Sequence, residues 1–222
     1  MKHSILTILF SAIFCYFTIA SEKVTVTTDP QTARIYVNGI LTGTGKIVVT
    51  IPKGETLTVE VRMEGYVQET RTYSNKKNFT DPPSRDYIQL QPDESYTSTI
   101  LSDVANNELV MNVKAGRTKE EAWKIIVNTI LNKFDVLENN DATSGYLRTS
   151  WVGATFRANT IRTRLIVKLS SEEPLVYKIK FVSEASGKSG TPFSADEQYK
   201  PFNRILKTYD GFLDELMTKL KN

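Results

Sequence analysis

From Lys23 to Tyr73 the chain is cut into short alternating runs rich in Val and Thr, each closed by turn residues. Lys23 to Thr28 sets Val24 and Val26 on one face before Asp29-Pro30 breaks the run. Arg34-Ile35-Tyr36-Val37 ends at Asn38-Gly39, a dipeptide suited to a two-residue hairpin because both positions tolerate positive φ. Ile47 to Ile51 ends at Pro52-Lys53-Gly54, and Thr56 to Met63 points Leu57, Val59 and Val61 inward before Glu64-Gly65. Val67 to Tyr73 supplies a further strand. Punctuation this dense leaves room only for short, locally paired strands, so the spacing predicts a small β-sandwich. The polar stretch Asn75 to Asp86 reads as a long loop before a closing strand, and Gln91 to Ser95 as a connector.

Several of these turns carry a family pattern: Pro30-Gln31-Thr32-Ala33 ahead of Arg34 to Gly39, then Gly43-Thr44, Pro52-Lys53-Gly54, Glu64-Gly65-Tyr66 and a closing Tyr87-Ile88-Gln89-Leu90. The block resembles the PEGA family, small all-β modules of bacterial envelope proteins. Gln31 and Thr32 replace the usual acidic residue and Gly, and Gly45-Lys46 stands where Thr-Pro is common. The resemblance implies an envelope-exposed binding or spacer module and brings no catalytic residues. Gly43-Thr44-Gly45-Lys46 is not a phosphate loop, since Ile40 occupies the required Gly position and Ile47 that of Ser or Thr. It reads as a hairpin turn.

A different pattern begins at Leu109-Val110-Met111-Asn112-Val113, a strand. Thr118-Lys119-Glu120-Glu121 is a capping box, and behind it Ala122, Trp123, Ile126, Val127, Ile130, Leu131 and Phe134 share a helical face. Strands are expected at 135–138, 146–151, 161–169 and 175–182, with turns at Asn139-Asn140-Asp141, Ser144-Gly145 and Ser171 to Pro174. A long terminal helix is expected from about Glu197 to Leu220, with Pro201 in its first turn. The fold class is therefore two domains, an all-β sandwich followed by an α+β helix-grip domain whose antiparallel sheet is packed by two helices. The expected boundaries are a signal peptide at 1–20, a PEGA-like sandwich at 21–92, a linker at 93–107 and the α+β domain at 108–222.

Ala122-Trp123, Glu138 to Asp141, Gly145-Tyr146-Leu147, Thr149-Ser150-Trp151 and Arg162-x-Arg164 follow one another in an order similar to the helix-grip domains of the C lipoprotein of the outer-membrane β-barrel assembly machine. That resemblance covers roughly residues 108–221 and implies a non-catalytic accessory role at the envelope.

Met1 to Ser4 is a short basic start, and the apolar run Ile5 to Ala20 gives way to Ser21-Glu22-Lys23. This reads as a secretory leader with Thr18 and Ala20 ahead of the cleavage point. Cys15 follows Ile13-Phe14 rather than small residues, so lipidation is not expected. The chain is expected to be exported, to the periplasm or the outer-membrane periphery. Its single Cys and single His both lie in the leader. Beyond it there is no thiol nucleophile, no imidazole base, no disulfide and no Cys/His zinc site, so no cofactor or metal is expected and the chain reads as a non-enzyme. Apolar residues at 40% and charged residues at 24% exclude collagen-like, mucin-like and wholly disordered classes. A formal charge of +3 without a long basic run argues against nucleic acid as a partner.

Lys and Arg outnumber acids only in the second block. Alternation places Arg162, Arg164 and Lys168 opposite the core face, and Lys178 and Lys180 likewise on the next strand. These five are the candidate binding residues, facing an envelope protein or an anionic envelope component such as lipid phosphate or polysaccharide. Arg148 and Arg157 are possible extensions, and a solvated sheet face with counter-ions is the plainer reading. Peripheral membrane association fits the same patch. The alternative function is a carrier holding an apolar ligand between sheet and terminal helix. A polysaccharide binder using Phe79, Tyr66 or Tyr73, and a hydrolase using Glu138 and Asp141, are further readings.

Overall fold

The computed structural model describes residues 21–222. The leader expected at 1–20 lies outside the described residues. Two compact units emerge: one runs to Met63 and includes Gln68–Leu90, the other joins Glu64–Val67 to Gln91–Asn222.

The first unit contains β1 (Glu22–Asp29), β2 (Arg34–Val37), β3 (Ile40–Thr44), β4 (Lys46–Ile51), β5 (Thr56–Arg62), β6 (Glu69–Ser74) and β7 (Arg85–Gln89). They form two sheets, ordered β4-β1-β7 and β3-β2-β5-β6. Period-two alternation sends Val24, Val26, Ile35, Ile51, Val59, Val61 and Ile88 wholly out of solvent. Each such side chain contributes about 1.5–3 kcal/mol through burial. Asn38 and Gly39 both take positive φ, 48° and 81°, which is the backbone a tight hairpin between β2 and β3 requires.

The turn at Gly45 differs from the expected hairpin. β3 pairs with β2 and β4 with β1, so Gly45 carries the chain from the edge of one sheet to the edge of the other. Its φ is +67°, and a Cβ there would run into the Gln31 carbonyl. Only Gly fits the crossing. The closing strand β7 lies parallel to β1, pairing Thr25 with Arg85 through Asp29 with Gln89.

The second unit contains α1 (Glu94–Thr97), β8 (Thr99–Leu101), β9 (Glu108–Asn112), α2 (Lys119–Leu131), β10 (Leu137–Asp141), β11 (Tyr146–Thr149), β12 (Val152–Thr155), β13 (Thr160–Glu172), β14 (Leu175–Ala185), β15 (Lys200–Pro201), β16 (Arg204–Leu206) and α3 (Phe212–Lys221). The large sheet runs β10-β11-β13-β14-β15, with β12 also on β13 and β9 also on β14. The capping box of α2 closes both ways: the Thr118 hydroxyl accepts from the Glu121 amide at 3.2 Å, and the Thr118 amide donates to the Glu121 carboxylate at 3.1 Å. Ala122, Trp123, Ile126 and Ile130 then face the sheet, buried with Phe212, Leu216 and Leu220 of α3 in one core.

Three expectations are corrected here. The terminal helix does not begin near Glu197; only Phe212–Lys221 is helical. Pro201 lacks an amide and pushes Lys200 into extended backbone, so that segment pairs as β15 along β14. Gly211 at φ 70° sets the helix start. Tyr199, Ile205, Leu206 and Tyr209 are buried as expected, but from strands and short turns. The stretch 93–107 is not a bare linker: Asp93 caps α1, β8 pairs with β16, and Ala105 bridges to Phe181. Of the turn expected from Asn139-Asn140-Asp141 and Ser144-Gly145 only the second part turns, at Ala142 to Gly145, because Asn139, Asn140 and Asp141 are paired within β10 opposite β11.

Phe134 anchors the core beyond α2. Its ring stacks on Tyr209 at 5.0 Å and meets Phe212 at 6.1 Å and Phe181 at 6.3 Å. Phe134→Ala is expected to lower unfolding free energy by about 3–5 kcal/mol, read as a shift in the denaturant midpoint. An unchanged midpoint would remove Phe134 from the centre of the packing.

Candidate functional site

β13 and β14 form an antiparallel ribbon pairing Ile161 with Ala185 through Glu172 with Leu175. Leu165, Val167, Tyr177, Ile179 and Phe181 turn toward the helices and are buried. The opposite face therefore carries Arg162, Arg164, Ile166 and Lys168 on β13 and Glu184, Val182, Lys180 and Lys178 on β14. Pairing extends this face outward in rows. Arg148, Ile166, Lys180 and Glu108 lie side by side across four strands, as do Tyr146, Lys168, Lys178 and Val110.

All five candidate cations share this outer face, yet they divide into two environments. Arg162 does not belong to an open patch: it is 2% exposed. Its Nε and Nη2 donate to Glu184 at 2.8 and 2.6 Å, and Nη1 donates to Asp196 at 2.6 Å and to the Phe193 carbonyl. The guanidinium lies 4.0 Å from the ring centres of both Trp151 and Tyr199. The segment 186–199 covers this end of the sheet, where Thr191 receives a hydroxyl hydrogen bond from Tyr199 at 2.9 Å and Thr160 bonds the Lys188 carbonyl at 2.9 Å. Burial raises the Tyr199 hydroxyl above its ordinary pKa, with Arg162 pulling the other way and Glu184 reinforcing the rise.

The other four remain on the uncovered part. Lys168 and Lys178 sit opposite each other and share Glu108 at 3.6 and 3.8 Å. Arg164 stacks on Trp151 at 4.0 Å, and its buried Nε has no hydrogen-bond partner. Among the described residues, neither Arg164 nor Lys180 has a carboxylate within ion-pair distance. Arg148 joins the face through its pairing with Ile166, and its Nε meets Glu138 at 2.8 Å. Alternation along 146–149 is the signal that places it there. Trp151 as a shared platform was not legible: alternation along the expected strand 146–151 would send it to the core side with Leu147 and Thr149, but β11 ends at Thr149 and Trp151 lies between β11 and β12.

Other candidates resolve differently. Asp141 is tied into its own turn, accepting from the Ser144 hydroxyl at 2.7 Å and the Thr143 amide at 2.9 Å, and these bonds hold its carboxyl below the usual range. With Glu138 on Arg148, these two carboxylates have structural partners. Tyr73 is 4% exposed and donates to Asp86 at 2.6 Å, so it offers no stacking surface. Phe79 is exposed in its loop. The space between sheet and α3 is filled by the Phe134, Phe181, Tyr209 and Phe212 rings.

Arg162→Gln is expected to destabilise the second unit by about 3 kcal/mol, since Glu184 keeps a mostly buried charge without its partner. Arg162→Lys should not restore it, because one ammonium cannot serve both carboxylates and both rings. Limited proteolysis within 186–199 should accelerate in both variants; unaltered cleavage would show that Arg162 does not secure this segment.

No curated protein matches the chain. Residues 21–80 match the PEGA domain family, a module typical of extracellular and periplasmic settings, in agreement with the first-unit pattern.

Proposed function

We propose that this chain is a non-catalytic cell-envelope protein whose second unit docks an anionic partner on the outer face of its large sheet. The observation that carries this reading is the pair Arg164 and Lys180. Both stand on an uncovered sheet face without carboxylate partners among the described residues. Like charges so placed on neighbouring strands cost stability, and a bound anion relieves that cost.

The PEGA match at 21–80 supports an envelope setting. The order of elements over 108–221, similar to the helix-grip domains of an assembly-machine lipoprotein, supports an accessory role rather than catalysis. Export through the leader at 1–20 belongs to the same proposal, as does a place in the periplasm or at the outer-membrane periphery. Among the described residues no helix is long and apolar enough to cross a membrane. Without His or Cys beyond residue 20, acid–base or thiol chemistry near neutrality would need a strongly perturbed carboxylate or Lys, and Glu138 and Asp141 are committed elsewhere. The aromatic filling beneath α3 disfavours the carrier alternative.

A photo-crosslinking residue at Val110, 54% exposed on the outer face, is expected to capture the partner in the native envelope. The same residue at Asp214, on the solvent side of α3, should not. Arg164→Gln with Lys180→Gln should weaken the Val110 adduct about tenfold, equivalent to ~1.4 kcal/mol. Equal adducts from both positions, or an adduct indifferent to the double variant, would sink the proposal.

A further inference from the structure

Ile166 occupies the centre of a cross of cations. Arg148 is its neighbour on β11 and Lys180 its neighbour on β14, while Arg164 and Lys168 stand two residues away along β13. Directly opposed residues lie about 5 Å apart, and same-face neighbours along a strand roughly 7 Å. Four positively charged side chains therefore surround one half-buried apolar position on the outer face. Two of them carry partial compensation from the rim: Glu138 on Arg148 at 2.8 Å and Glu108 near Lys168 at 3.6 Å. Glu108 is paired in register with Lys180, yet its oxygens approach Lys168 and Lys178 instead. Arg164 and Lys180 are thus the two members of the cross left without a carboxylate at ion-pair distance among the described residues.

Resting on the binding reading above, we propose that this cross is a seat for a phosphomonoester dianion. A carboxylate offers two oxygens in one plane and satisfies one fork of donors. A phosphoryl dianion presents three acceptor oxygens around a tetrahedral centre and nearly two charges, so it can take donors from several sides at once. Arg164, held by its stack on Trp151, supplies a fixed planar donor, and Lys168 and Lys180 supply mobile point charges. Ile166 gives a floor without a competing acceptor, and the ester substituent points to solvent. The phosphoryl group is the shared chemistry of a lipid headgroup and a soluble phosphate ester.

The sources separate in one experiment on the full chain. Glycerol 3-phosphate is titrated while backbone amides are followed by NMR, and flotation is measured with phosphatidylcholine vesicles with and without phosphatidic acid. A saturable shift at Ile166, Arg148 and Lys180, weakened at least tenfold in Arg164→Gln and absent with acetate at equal ionic strength, supports the seat. Flotation with phosphatidic acid alone assigns it to a membrane surface; response to the free ester alone assigns it to a soluble source. Ile166→Glu supplies a readout free of ligand. A carboxylate at the centre should raise Tm at low salt, lose that gain at high salt, and abolish the phosphate response. No response to either probe, or a lowered Tm in Ile166→Glu with its fold intact, would overturn the seat. If that occurs while the Val110 crosslink persists, the outer face binds an anion of another kind and only the phosphoryl assignment falls.

Discussion

The pleat of one long ribbon governs the second unit. Eleven residues of β13 pair with eleven of β14, and from Ile161 to Leu169 every step along them exchanges the two faces. Because Leu165, Val167, Tyr177, Ile179 and Phe181 must meet the helices, Arg164, Ile166, Lys168, Lys178 and Lys180 have no choice of side. A slip of one residue would bury four cations and expose the core, a change far beyond the marginal stability of a domain. The charge arrangement on the outer face is thus fixed by apolar burial on the inner one.

That face is used in two ways along its length. At one end Arg162 is desolvated, and its cost is offset by two carboxylates, a carbonyl and two aromatic rings. Toward the other end the cations keep partial access to water and share fewer acids. Trp151 stands at the division, touching Arg162 and Arg164 alike. The same residue type, two positions apart on one strand, is a structural rivet in one case and an available donor in the other.

Much of this was legible in the sequence, for local reasons. Capping chemistry at Thr118 and Glu121 announced α2, Asn38-Gly39 announced its hairpin, and strand alternation placed the cations on their face. What was not legible depended on distant partners. Nothing near Arg162 in sequence foretells Glu184 or Asp196, so its burial could not be read. The apolar spacing of Tyr199 to Leu220 matches a helix, but Pro201 and the free edge of β14 drew the first half into strands. Gly45 looked like a hairpin because its neighbours form strands; only the partners of those strands reveal a crossing. The surviving terminal helix is also held from afar, with Arg117 donating to the Lys219 and Leu220 carbonyls at 3.0 and 2.8 Å.

The parallel pairing of β1 with β7 has a mechanical meaning. The start of β1 and the finish of β7 lie at opposite ends of their shared ladder, which runs from Thr25–Arg85 to Asp29–Gln89. Tension applied between those two points pulls along the strands, so the cross-strand bonds are loaded together in shear instead of opening one after another like a zip. Along that line the pairs from Thr25–Arg85 to Asp29–Gln89 share the load, and none of them stands first in line to part.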